Sequence, residues 1–250
     1  MKYYNMKKVI KGLTIMLFVV AISNFALAYS GNLSIESTQN IVDENRTVAG
    51  FSGVSSAGNY NVYITMGTSE SLRLEGKAEV ISEIETKIEN GILKISRKKM
   101  LNKKTWKNTE RVDIYIEAKT LHSLTVVGSG DIQVTGLVNA NKLTNTISGS
   151  GFISLDMNAK NYVALISGSG EIKASGKSEN TSITIAGSGD FEGANLNSEF
   201  ANVKVSGSGN IALTVNKNLD ALVSGSGDIK YGGNPSVKYS KSGSGNISKL

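Results

Sequence analysis

The tripeptide Gly-Ser-Gly returns seven times in the second half of the chain, beginning at Gly128, Gly149, Gly168, Gly187, Gly207, Gly225 and Gly243. The gaps are 21, 19, 19, 20, 18 and 18 residues, the self-similarity of a solenoid. The second residue after each copy is Ile132, Ile153, Ile172, Phe191, Ile211, Ile229 or Ile247, an unbroken apolar column. Two residues before each copy stand Val126, Ile147, Ile166, Ile185, Val205 and Val223, and only the last copy breaks the column, with Lys241. Leu124, Ile183 and Val203 before the glycines, and Val134, Leu155 and Leu213 after them, extend the alternation. Period-two alternation of β-branched residues is the pattern of strands with one face in a core.

Every copy carries motif and flanks in the same orientation, which antiparallel hairpins do not give and parallel coils do. A coil of about 19 residues has a perimeter of about 60 Å, room for two or three short strands, and seven coils make a rod about 34 Å long. Parallel crossovers are right-handed. The fold class expected is therefore all-β, a right-handed parallel β-helix. A left-handed hexapeptide helix needs an aliphatic residue every six positions, and Ile132, Val138, Thr144, Ser150 does not sustain that.

Within this frame the glycines are corners, the first of each copy with Gly130, Gly151, Gly170, Gly189, Gly209, Gly227 and Gly245 as the third positions. A sharp turn between strands needs a residue free to take positive φ. Ser129, Ser150, Ser169, Ser188, Ser208, Ser226 and Ser244 then form a ladder able to bond to itself or to backbone. They are not read as nucleophiles, since Gly-x-Ser-x-Gly is absent and seven equivalent serines cannot share one activating base. Asp131, Phe152, Glu171, Asp190, Asn210, Asp228 and Asn246 follow the corners. Calcium between coils is one reading of so many acids and amides, but the nine-residue spacing is absent and Phe152 interrupts the column. The other is that these side chains satisfy turn backbone. No catalytic, metal or cofactor site is expected.

Met1 to Ala28 reads as a secretory signal peptide. Lys2, Lys7, Lys8 and Lys11 form its positive region, Leu13 to Ile22 its apolar run and Ala26-Leu27-Ala28 its cleavage site, with a retained anchor as the alternative. Nothing later has the length of a membrane-spanning helix. There is no cysteine, so neither disulfides nor a lipid-bearing cysteine are available. Without the four signal lysines, 27 basic residues become 23 against 21 acidic ones, and the net charge falls from +6 to +2. That removes the electrostatic case for nucleic acid. The mature chain suits one elongated domain.

Residues 29–45 read as a flexible polar tail, 46–122 as a less regular N-terminal β region forming the first coils or a cap, and 123–250 as the repeat solenoid. Val62, Ile64 and Met66 alternate, as do Leu72 and Leu74, and Val112, Ile114 and Ile116. Ile84 to Glu89, Asn90-Gly91 and Ile92 to Ser96 spell a two-residue hairpin. Some cap is required, because a bare solenoid end exposes core and backbone edges. At the far end Lys241 and Lys249 mark a polar final coil. Between two strands, Arg97, Lys98, Lys99, Lys103, Lys104, Lys107 and Arg111 surround Trp106. Read as a projecting loop, this stretch offers Lys103, Trp106 and Lys107 to an anionic glycan; the competing reading is a solvated tip whose lysines discourage edge pairing. His122 has no second histidine with which to share a metal.

These motifs together resemble the bacterial family of putative auto-transporter adhesins with a head GIN domain. The resemblance runs from Val48 to Lys249. It rests on Arg46-Thr-Val-Ala-Gly-Phe51-Ser-Gly-Val54, on Asn90-Gly91-Ile92-Leu93-Lys94-Ile95, and on Gly-Ser-Gly-Asp-Ile as at Gly128 to Ile132. It implies a right-handed parallel β-helix exported by a Gram-negative bacterium to the periplasm or outer surface, with no catalytic residues to carry over. No barrel sequence follows Leu250, so self-delivery is not expected. A non-catalytic envelope binding module for a glycan or protein is the leading expectation. A self-assembling structural protein, hence a homo-oligomer, is the alternative. A polysaccharide lyase or hydrolase rests on fold analogy alone.

Overall fold

The structure, a computed structural model, describes residues 41–98 and 110–250. The expected signal peptide, the tail up to residue 40, and Lys99, Lys103, Lys104, Trp106 and Lys107 lie outside the described residues. In chain order the elements are β1 (Ile41–Arg46), β2 (Gly53–Gly58), β3 (Asn61–Met66), β4 (Ser71–Lys77), the single-turn helix α1 (Ala78–Ser82), β5 (Ile84–Glu89), β6 (Ile92–Arg97), β7 (Asp113–Ala118) and β8 (Ser123–Gly128). The repeats follow as β9 (Asp131–Gly149), β10 (Phe152–Gly168), β11 (Glu171–Gly187), β12 (Asp190–Gly207) and β13 (Asn210–Gly225). The chain ends in β14 (Ile229–Gly232), β15 (Ser236–Ser242) and β16 (Ile247–Lys249).

From β9 to β13 each strand is one whole coil, and adjacent coils pair in parallel. Ile153 lies beside Ile132 and Ile172, Ile166 beside Ile147 and Ile185, and Gly168 beside Gly149 and Gly187. The two apolar columns are therefore real columns, and their apolar members are buried except Ile247, which is half-buried in the last coil. The chain is an all-β parallel β-helix.

Each coil turns three corners. After the Gly-Ser-Gly corner, residues 152–155 of β10 form the first wall, 156–159 the second and 161–168 the third. Ile153, Leu155, Met157 and Ala159 point inward, then the phase skips and Tyr162, Ala164 and Ile166 do so. The irregular repeat length is absorbed away from the glycine corner. Relative to β10, β9 carries two extra residues at the second corner, between Gln133 and Leu137. Shifts between β11 and β12 and between β12 and β13 fall at the same corner, with one more at the third corner beside Phe200. A flush corner fixes the register, and the outer bends tolerate insertions.

The N-terminal region is both coil and cap. β2 and β3 form two walls of a further coil stacked on β8 and β9, with Gly58 beside Gly128 and Val62 beside Ile132. Gly58-Asn59-Tyr60 is thus an eighth corner. β6 and β7 then stack on the outer side of β2 and β3. Beyond them the pairing turns antiparallel: β4 on β7, β1 on β4, and β5 on β6. The Asn90-Gly91 hairpin forms as the sequence predicts, with φ of 52° and 73°, the double positive φ of a type I′ turn. α1 closes the end of the core with Val80 and Ile81. Residues 41–45, expected to belong to a flexible tail, are instead strand. Their polar side chains hid a β1 whose alternate residues, Val42 among them, pack against the cap. Arg46 fastens this strand: its guanidinium donates to the Ile84 carbonyl (2.9 Å), the Ile81 carbonyl (3.2 Å) and Thr86 Oγ1 (3.1 Å).

At the other end β15 pairs with β13 alone and β16 with β14 alone. Lys238, Lys241 and Lys249 are exposed there and Pro235 precedes β15, a charged edge of the kind that blocks further pairing.

Inside the coils the core is not wholly apolar. Tyr162 is buried and its hydroxyl accepts a 3.0 Å hydrogen bond from the Asn145 amide, while Thr181 and Ser198 share one of 2.6 Å. Burial pushes the Tyr162 phenol well above its ordinary range, and the Asn145 bond offsets only part of that. The unfolded chain releases this proton near pH 10 and the folded chain does not. The stability is therefore full below about pH 10 and falls as pH rises toward the folded value, by about 1.4 kcal/mol per pH unit. Tyr60 and Tyr115 are raised too, chiefly by burial, and add to the slope. Tyr162→Phe is expected to flatten the decline of urea-unfolding free energy between pH 9 and 11. The same slope in both proteins would contradict this origin.

Candidate functional site

At the predicted corners the structure leaves little chemistry. The first glycine of each copy is held at positive φ, the serine is exposed and the third-position glycine is buried. The backbone ladder continues through the corner, with Ser169 N–H donating to the Gly149 carbonyl and Ser188 N–H to that of Gly168, both at 2.9 Å. Among the described residues no hydrogen bond joins one corner serine hydroxyl to another. The acid and amide column has a structural task. Asp190 Oδ1 accepts from the Asn210 backbone (3.0 Å) and side chain (2.9 Å), Asn210 Oδ1 from Asp228 N–H (3.1 Å), and Asp228 Oδ1 from Asn246 N–H (2.9 Å). Asp131 pairs with Arg111 at 2.8 Å. No cluster of three or more His, Asp or Glu side chains suited to a metal occurs among the described residues.

The basic stretch joins β6 to β7. The stretch lies between strands that stack on β2 and β3. Its flanking cations are engaged: Arg97 with Glu83 (2.9 Å), Lys98 with the Ser82 carbonyl (2.6 Å), and Arg111 with Asp131 and Asn61 (2.8 Å each). His122 is exposed; its backbone N–H donates to Ser52, at 2.7 Å.

The concave surface lies at the third corner, a place the tripeptide did not point to. A groove of about 490 Å³ crosses the coils there, lined among others by Asn161, Asn180, Phe200, Asn218, Asn202 and Asp220. Asn161, Asn180, Phe200 and Asn218 are register partners on four successive coils. Asn161 Nδ2 donates to the Asn141 carbonyl and Asn180 Nδ2 to Asn161 Oδ1, both at 3.3 Å. Phe200 then interrupts the amide ladder. Phe200 is 39% exposed, and Lys217 Nζ sits 5.4 Å from its ring centroid. Among the described residues the side-chain amides of Asn202 and Asn218 have no hydrogen-bond partner within the chain. Around the same corner, on the second wall, a second groove of about 850 Å³ is lined by Asn139, Asn158, Asn197 and Asn216, with Glu179 and Glu199. The signal in the sequence was present: Asn139 and Asn158, Asn161 and Asn180, and Asn197 and Asn216 each recur at one coil length.

The first groove is lined by one carboxylate and the second by two, Glu179 and Glu199. Asp220 is the one carboxylate lining the first groove. In the second, Lys217 at 3.0 Å and Asn216 hold the Glu199 carboxyl below its ordinary range, opposite to what a general acid requires. Glu171 is the described carboxyl whose proton affinity is clearly raised, by burial and then by Glu192 and Asp190, and it lines neither groove.

A family model for the putative auto-transporter adhesin, head GIN domain, matches residues 50–235. Among solved structures, the chain is similar to a putative adhesin from Bacteroides fragilis NCTC 9343, with a TM-score of 0.78 and 23% identity over 85% of this chain and 98% of that one. A putative lipid binding protein from Parabacteroides distasonis ATCC 8503 gives a TM-score of 0.69 and 24% identity over 85% and 98%. A putative adhesin from Parabacteroides merdae ATCC 43184 gives 0.63 and 16% over 84% and 96%. At these identities the likeness is one of fold. No curated protein matches.

Proposed function

Because the chain belongs to the family of putative auto-transporter adhesins with a head GIN domain, we propose that it is a non-catalytic, adhesin-like binding module of the bacterial cell envelope. The observation that carries this reading is the third corner. The stacked coils present two grooves there, each lined by four asparagines among other residues; the first carries one carboxylate, Asp220, and the second carries Lys160, Lys177, Glu179 and Glu199. Neutral amides recognise by hydrogen bonding without committing the surface to charge, and a solenoid repeats them along its axis. The N-terminal segment 1–28 supports export, and no described helix is long and apolar enough to cross a membrane. The basic segment containing Lys103, Trp106 and Lys107 offers a second, cationic contact for an anionic envelope polymer.

The purified full chain is expected to sediment with cell-envelope fragments, and protease shaving of intact cells to locate it at the surface. Folded protein that ignores envelope fragments would overturn the binding role. Turnover of uronate polymers, abolished by Asp220→Asn or Glu171→Gln, would overturn the non-catalytic one.

A further inference from the structure

Resting on the envelope-binding reading, we infer that the first groove binds a neutral, extended glycan lying along the solenoid axis, with Phe200 as its stacking platform. The lining spans five coils, from Asn161 on β10 to Lys238 on β15, a length of about 19 Å at the spacing of adjacent strands. The rise of one sugar in an extended β-linked chain is close to that spacing, so successive sugars meet successive coils. Each coil offers hydroxyl-binding chemistry. Asn161, Asn180 and Asn218 stand on the corner column, Ser182, Asn202 and Asp220 on the wall beside it, and the Asn202 and Asn218 amides have no partner within the chain among the described residues. The groove's charged lining residues, Asp220 and Lys238, have opposite sign, so the surface selects neither polyanions nor polycations.

Phe200 supplies what amides alone lack. An exposed ring between Asn180 and Asn218 costs solvation when free and pairs with the apolar C–H face of a pyranose when covered. A fatty acyl chain fits poorly, because its methylenes would bury those amides without partners.

The test is calorimetric titration of the full chain with neutral β-linked hexasaccharides of glucose, mannose and N-acetylglucosamine, and with polygalacturonate and phosphatidylglycerol vesicles. At least one neutral hexasaccharide is expected to bind. Phe200→Ala should weaken it about tenfold, Phe200→Tyr should retain it, and Asn202→Ala should weaken it in a protein of unchanged thermal midpoint. Neutral-glycan binding indifferent to Phe200→Ala overturns this assignment and leaves the binding role standing. Binding confined to polygalacturonate or to vesicles does the same. No binding of any probe, with no envelope sedimentation, overturns both.

Discussion

Gly168→Val and Gly187→Val are expected to abolish folding, whereas Ser169→Ala and Ser188→Ala should change unfolding free energy by no more than about 0.5 kcal/mol. Two separate costs fall on the glycines. Their φ values, +120° and +128°, lie where an L side chain is strained by about 1–3 kcal/mol. An added Cβ would also collide with the carbonyl oxygen of the glycine one coil below, Gly149 for Gly168 and Gly168 for Gly187. That oxygen cannot swing away cheaply, since it accepts the serine N–H that carries the ladder through the corner. Relief means parting two coils, which severs the pairing of Ile166 with Ile147 in the first variant and with Ile185 in the second. The total exceeds about 4 kcal/mol, a large part of a domain's whole stability. The serine hydroxyls face solvent and lose little on removal. Urea unfolding followed by circular dichroism, with size exclusion for the glycine variants, checks the contrast. Equal tolerance of both kinds of change would show that the tripeptide is not a stacked corner.

That contrast explains which parts of the fold were legible in the sequence. The glycine corner repeats because backbone meets backbone there, and no other residue fits. The isoleucine columns repeat because they fill one core. The third corner repeats only in composition, because its side chains face solvent and one length change falls beside Phe200; Phe200 in place of asparagine breaks even that pattern. The corner at Gly58-Asn59-Tyr60 was not legible for a related reason. It has fewer coils outside it, so Tyr60 can stand where later copies need a buried glycine, and Gly58-Asn59-Tyr60 no longer looks like Gly-Ser-Gly. The order of stacking was also hidden. β6 and β7 follow β3 in sequence but lie outside it in space, a non-local arrangement that alternation alone does not reveal. β1 was concealed by Asp43, Glu44 and Asn45, which suit an edge strand as well as a loop.

The cap built by these strands should control stability at its own end of the stack. Ile81 is fully buried in α1, with Val80 beside it, and covers the end of the core. Ile81→Asp would leave an unpaired carboxylate there and is expected to cost about 3–5 kcal/mol, against about 0.5–1.5 kcal/mol for Ile81→Val. In a stack where each coil touches only its neighbours, the damage should be polar along the axis. Hydrogen exchange should show β5, β6 and β7 losing protection first in Ile81→Asp, with β10 to β12 close to wild type. Arg46→Met tests the same end differently: it removes the donor to the Ile81 and Ile84 carbonyls and should release β1 and β5 while leaving the apolar plug intact. Uniform loss of protection across all coils in Ile81→Asp would mean that the solenoid unfolds as one unit and that α1 is no local lid. A graded loss would show that the corner stack, from Gly128 to Gly243, holds its coils together without the cap.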